Sequence, residues 1–201
     1  MFWRPDEERL FYAFAGEPSV AWWVDTTTGE HRELALPEWL EPIRRGAMEI
    51  TGDELTRFVP PEGSDTRRGA VLMLFGEGDC GPDLLLTERA HDMRSHPGQV
   101  SFPGGSIDPG DPTPEHTALR EAEEETGLDP SGVDVFAMLP ELWLPPSNFA
   151  VTPVLGWWRE PCEVSVVDPG EVHAVYRVPI EELLDPEHRV SVRHPSGWKG
   201  P

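Results

Sequence analysis

The sequence predicts an α+β fold built on a mixed sheet. Three observations carry that prediction. Apolar segments of strand length outnumber helical ones. A continuous apolar run, AVLMLF at 70–75, reads as a strand buried on both faces. One long helix, with start and stop signals at its two ends, interrupts the strands between 113 and 127. Strands and helices do not alternate regularly, which argues against a clean doubly wound sheet.

Taken in order, residues 1–36 read as an extension set apart from the rest. Within it VAWWV (20–24) and HREL (31–34) flank the turn-rich DTTTGE and predict a hairpin. The main domain then runs over 37–201. A helix is expected from about Pro37, followed by a Pro- and Gly-rich link at 59–69. After the 70–75 strand, GEGDCGPD (76–83) reads as a loop and LLLTER (84–89) as the returning strand. Thr113 is placed to cap the long helix, Pro114 occupies its first position, and Gly127 ends it. Ala118, Leu119 and Ala122 form its small apolar face. Strands follow at 133–138, 149–158 and 173–179, then a short helix at 181–185 and a strand at 188–194. That last strand runs into a turn with no returning partner, so either the domain is cut short or the strand pairs with one already present.

Composition excludes several classes. A formal net charge of -21 argues against a general nucleic-acid surface, which needs basic patches to meet phosphates. A few local arginines and bound cations can still reverse the field inside one cleft. No apolar run approaches the ~20 residues that span a bilayer, so no membrane partner is expected. The acidic, aromatic start MFWRPDEERLFYAF lacks the pattern of a secretory leader. Cys80 and Cys162 make neither a disulfide framework nor a zinc site, and the expected location is the cytoplasm.

The chemistry concentrates in REAEEETG (120–127). Glu121, Glu124 and Glu125 stand at i, i+3 and i+4, on one helical face, where like charges repel. They are either a solvated face of an acidic protein or a divalent-metal site. Three features favour metal. A glycine-rich loop with Asp108 and Asp111 leads into the helix, Arg120 can orient a neighbouring carboxylate, and the oxygens lie at coordination spacing.

GGSIDPGDPTPEHTALREAEEETGL resembles the signature of the Nudix hydrolases. Gly105 matches its first glycine, and Arg120, Glu121, Ala122, Glu124, Glu125, Gly127 and Leu128 match its second half. Asp111 replaces the outer glutamate, and eight residues rather than seven separate it from Arg120, so its carboxylate is expected to orient the loop. Upstream, LLTERAHDMRSHPGQVSFPGG (85–105) is similar to the second signature of the coenzyme A diphosphatase branch. The resemblance covers about 37–195 and implies an α/β/α sandwich with a mixed sheet. Members of that branch continue beyond the point where this chain stops.

The resemblance implies metal-dependent hydrolysis of coenzyme A or acyl-CoA. The products would be 4′-phosphopantetheine, or its acyl form, and adenosine 3′,5′-bisphosphate. Glu121, Glu124 and Glu125 would hold Mg²⁺ or Mn²⁺, completed by the Gly105 carbonyl and by Glu171, which is otherwise a turn residue. Arg120 would fix the glutamates, and Arg89, Arg94 and Ser147 would meet the substrate. Trp143, Trp157 and Trp158 read more readily as structure than as an adenine platform. The expected partner is a small molecule, with a homodimer left open. Hydrolysis of ADP-ribose or NADH, a non-catalytic binding module, and an inactive shortened fragment are the competing readings.

Overall fold

A computed structural model describes residues 9–13, 21–25, 31–56, 58–60, 63, 65–93, 96–188, 192–193 and 199–200. The chain opens with β1 (Arg9–Ala13), β2 (Ala21–Asp25) and β3 (His31–Glu33), an antiparallel sheet in that order. Trp22 lies opposite Glu33 in the expected hairpin, and β1, which the sequence pattern did not mark, pairs along the other edge of β2. Leu34, just beyond, is buried against Leu40, Phe75 and Phe136 of the following unit.

A single 3-10 turn at Glu38–Leu40 leads into α1 (Glu41–Glu49), and α2 (Gly52–Leu55) follows behind a capping box between Thr51 and Glu54. Next come β4 (Arg67–Gly78) and β5 (Gly81–Arg89), joined across Asp79 and Cys80. The loop expected at 76–83 is therefore mostly strand. Its glycines are the reason. A Cβ at Gly76 would stand 2.6 Å from Asp83 Oδ1, and one at Gly78 2.8 Å from Oδ2. The two glycines clear space for the buried Asp83, whose Oδ2 meets Arg177 Nη2 at 2.7 Å.

The remaining elements are β6 (Val100–Ser101), β7 (Gly104–Ser106), α3 (Pro114–Thr126), β8 (Val133–Met138), β9 (Leu142–Leu144), β10 (Phe149–Trp158), β11 (Val172–Pro179) and α4 (Ile180–Leu184). The last two, β12 (Val192–Arg193) and β13 (Lys199–Gly200), pair with each other. The final predicted strand thus does find a partner, the two-residue β13.

The main sheet has the path β11–β5–β4–β10–β8, with β6 on β5, β7 on β4 and β9 on β10. β10 runs parallel to β4 and the other pairings are antiparallel, which gives the mixed sheet. Alternation along the strands feeds two cores. Leu72, Leu74, Leu85, Val135 and Val154 face Ala118 and Ala122 of α3. Phe75, Leu84, Phe136 and Leu155 face Leu34 and Leu40, with Trp39, Ile43 and Ile180 packed around them. The sheet is therefore covered on both faces, as an α/β/α sandwich requires. No helix among the described residues is long and apolar enough to cross a membrane.

One irregularity positions the site. β4 pairs with β5 over Phe75–Gly78 but with β7 over Gly69–Val71. β5 meanwhile continues to pair with β6 through Thr87 and Glu88. The sheet parts between these pairings, and α3 packs on β4 and β7 to one side of the parting.

Candidate active site

The placement of α3 follows from its sequence. Thr113 Oγ1 accepts the His116 N–H at 3.2 Å, Pro114 takes the first position, and Gly127 ends the helix at φ 71. Ala118 and Ala122 are fully buried, so the helix approaches β4 closely and its Glu121 and Glu125 side chains meet the β7 backbone. Glu125 is 6% exposed and accepts the Gly104 N–H at 3.1 Å. Glu121 stands against Gly105, where a Cβ would overlap its carboxylate. We expect Gly105→Ala to displace Glu121 and lower hydrolytic turnover by at least tenfold with little change in thermal midpoint, checked by steady-state rates beside a melting curve. Equal turnover would show that the contact is not needed.

Arg120 ties the region together. Its Nη1 donates to Glu124 Oε2 at 2.8 Å, and its Nη2 reaches Glu121 Oε1 at 3.0 Å and Asp111 Oδ2 at 2.9 Å. Nη2 also donates to the Ser106 carbonyl at 3.3 Å. Asp111 further accepts from Thr117 Oγ1 at 2.9 Å and from the Asp108 N–H at 3.0 Å, and it faces His116 Nδ1 at 3.0 Å. Its carboxylate is occupied in holding the loop to α3. The Arg120 guanidinium holds the Asp111 carboxyl well below the usual carboxylate range, and Asp111 in turn raises Arg120.

The inner carboxylates behave in the opposite sense. Burial pushes Glu125 up to about 7 against the Gly104 N–H and Arg89, with Glu121 and Glu171 adding repulsion. Burial also raises Glu121, against the pull of Arg120. Glu171 repels both, so a residue distant in sequence joins this group. It is delivered by a turn in which Asp168 Oδ1 accepts the Gly170 N–H at 2.8 Å, while the Glu171 carbonyl accepts from Ala90 N at 2.8 Å. Glu124, by contrast, extends outward with its side chain 59% exposed on Arg120. Helical spacing alone had aimed it with Glu121 and Glu125.

Arg89 lies close enough to Glu125 to oppose the rise in its pKa. Its Nη2 donates to Met93 Sδ at 3.2 Å, and its buried Nε finds no hydrogen-bond partner among the described residues. Arg94 lies outside the described residues. Ser147 is exposed and donates to the Leu144 carbonyl at 3.3 Å. Its neighbour Asn148 accepts from Trp143 Nε1 at 3.1 Å and donates to the Asp65 carbonyl at 3.0 Å, pinning this turn to the start of β4. Trp157 packs edge-on to Trp39, and Trp158 is buried beneath Arg177, so both are core.

This donor set fits a hard divalent cation. The buried Glu125 and the half-buried Glu121 repel each other, a glycine cradle leaves room beside Glu121, and all the oxygens are of the type that Mg²⁺ and Mn²⁺ select.

Comparison with known proteins identifies the family. Residues 65–196 match the NUDIX domain family. The chain is 42% identical over 133 residues to Nudix hydrolase 15, mitochondrial, of Arabidopsis thaliana, covering 65% of this chain and 46% of that protein. It is 36% identical over 166 residues to the uncharacterized Nudix hydrolase NudL of Enterobacter sp. (strain 638), covering 83% of this chain and 78% of that protein. The matched region spans about half the length of the plant relative. A NUDIX hydrolase structure from Alicyclobacillus acidocaldarius aligns with a TM-score of 0.51 and 22% identity over 61% of this chain and 82% of its own, a likeness of fold. The chain belongs to the Nudix hydrolase family.

Proposed function

We propose that this chain hydrolyses the diphosphate bond of coenzyme A or an acyl-CoA, using Mg²⁺ or Mn²⁺. Water adds to one phosphorus and the bridging oxygen leaves with the other. The products are two phosphate monoesters, (acyl) 4′-phosphopantetheine and adenosine 3′,5′-bisphosphate. The cluster of Glu121, Glu125 and Glu171 supports hydrolysis of a nucleoside diphosphate derivative in general. The observation that carries the narrower reading is Arg89, a half-buried cation beside those carboxylates whose buried Nε–H has no partner among the described residues. A substrate richer in phosphate than a simple dinucleotide suits such a donor.

A divalent ion held here would neutralise the diphosphate and lower the pKa of a bound water. The residues that would hold it are Glu121, Glu125 and Glu171, with Glu124 after it leaves Arg120, and the Gly105 carbonyl. Arg120 keeps Glu121 oriented through its 3.0 Å contact. One of these carboxylates takes the proton of the attacking water. Arg89 donates to a phosphate oxygen and so sets the position of the substrate, a role shared with Arg94 and Ser147. The partner is this small molecule. The unpaired cysteines, Cys80 and Cys162, accord with a reducing cytoplasm.

The test is a product assay. The protein is incubated with coenzyme A, ADP-ribose and NADH in parallel, with Mg²⁺ or Mn²⁺, and products are identified by mass. Adenosine 3′,5′-bisphosphate from coenzyme A, with the other two left intact, is the expected result. Turnover of ADP-ribose or NADH instead would keep the metal site and discard the coenzyme A reading. Arg89→Met should then raise KM for coenzyme A about 10- to 100-fold, since a hydrogen bond to a charged group contributes ~1.5–3 kcal/mol.

A further inference from the structure

A second group of metal-binding side chains lies outside the carboxylate site. Glu88 stands near the end of β5, His91 follows in the next turn, and His173 lies at the start of β11. One donor atom from each falls within 4.8 Å of the other two. His91 Nε2 is 3.1 Å from Glu88 Oε1, and the two imidazole rings meet edge-on with centroids 4.5 Å apart.

The backbone explains why the three converge. β11 pairs Val172 with Arg89 but Ala174 with Glu88, so His173 is the extra residue of a β-bulge. Bulges re-aim side chains, and this one presents His173 to His91 beyond the end of the paired strand. Gly98, at φ 67, backs the other ring: a Cβ there would stand 3.0 Å from His91 Nδ1. Tyr176 OH donates to Glu88 Oε2 at 2.6 Å, which fixes the carboxylate and leaves Oε1 on the histidine side. Support of this kind behind a ligand orients it for an ion.

We propose that Glu88, His91 and His173 form a binding site for one transition-metal ion of the Zn²⁺ class, separate from the hard-cation carboxylate site. Two imidazoles and one carboxylate select zinc and its neighbours over Mg²⁺ or Ca²⁺. Donors on a tetrahedral zinc, each at ~2.1 Å, stand about 3.4 Å apart. Small rotations of the two exposed histidines close the present spacing to that value. Three protein ligands leave a fourth position for water or an incoming ligand, as exchangeable sites do. Arg89 follows Glu88 in the chain and Glu171 precedes His173 by two residues. An ion bound here therefore ties together the two segments that bring Arg89 and Glu171 to the diphosphate site.

The test is a Zn²⁺ titration of the full chain in excess Mg²⁺, which occupies the carboxylate site. The parent should bind one Zn²⁺ per chain, and so should Glu121→Gln/Glu125→Gln. His91→Ala and His173→Ala should each weaken Zn²⁺ at least tenfold, and Tyr176→Phe about tenfold. Imidazole NMR signals of His91 and His173 should shift with zinc, while metal-free melting curves confirm that each variant is folded. Unchanged affinity and stoichiometry in the His91→Ala/His173→Ala protein would overturn the assignment. So would zinc binding lost in Glu121→Gln/Glu125→Gln yet kept in the histidine variants. None of these readouts depends on which diphosphate, if any, the protein hydrolyses.

Discussion

Glu125→Gln is expected to melt higher than the parent at pH 8 without metal, and to lose most of its hydrolytic activity. The two effects share one cause. Burial raises the Glu125 carboxyl from its ordinary 4.5 to about 7, so the folded protein keeps a proton there that the unfolded chain releases. Between those values the native state binds more protons, and stability falls as pH rises from about 4.5 to about 7. Integrated over that window, the penalty above pH 7 is about 3 kcal/mol. Glutamine has no charge to bury and can still accept the Gly104 N–H. Metal-free melting midpoints should therefore drop across this window for the parent and drop less for the variant, in which burial still raises Glu121. Added Mg²⁺ or Mn²⁺ should reverse the drop in the parent, because a ligand that binds only the folded state stabilises it. Turnover of the variant should fall by about 10²- to 10³-fold, the usual loss when a group that stabilises transition-state charge is removed. Parallel pH curves for the two proteins would mean that Glu125 ionises freely, and unchanged turnover would take it out of the mechanism.

The strands at 133–138 and 149–158 were legible because their apolar runs are long and bounded by turn residues. The helix was legible because Thr113, Pro114 and Gly127 mark its ends in the order that backbone geometry demands. The stretch at 76–83 misled for a physical reason. Its Gly, Asp and Pro residues have loop composition, yet Gly76 and Gly78 are required where Asp83 crosses the hairpin. β6, β7 and β9 are two or three residues long, too short for any period to register. In the site, helical spacing tells which Cβ atoms share a face but not where long side chains go. Arg120 draws Glu124 outward, and Glu171 reaches the group through a turn that no local pattern links to the helix. Family resemblance, not spacing, pointed to Glu171. The bulge at His173 is likewise a property of strand pairing, invisible until β5 and β11 are laid side by side.

Arg120→Met should be the most destabilising single substitution in the site, costing about 3 kcal/mol, at the lower end of the loss when one partner of a buried ion pair is removed. Methionine keeps the length and the apolar stem, so the loss isolates the guanidinium. Arg120 is 21% exposed and the Asp111 side chain 3%, so water replaces little of what Asp111 loses. Thr117, His116 and the Asp108 N–H still hold that carboxylate, which limits the damage to destabilisation rather than failure to fold. If the stranded charge is the cause, Asp111→Asn in the Arg120→Met background should restore part of the lost stability, although Asp111→Asn alone destabilises. A double-mutant cycle by urea unfolding measures that coupling, and additive losses would assign the effect to packing instead. The acid limb supplies a second check. Asp111 has a folded pKa depressed below its ordinary 3.8, so its stabilisation is present above that value and lost as pH falls below it. Arg120→Met should flatten that limb. Arg120→Lys separates charge from shape: a single ammonium returns part of the stability but cannot span Asp111, Glu121 and Glu124 as the planar fork does. Recovered stability without recovered kcat would show that Arg120 serves hydrolysis by fixing Glu121, through geometry that charge alone does not provide.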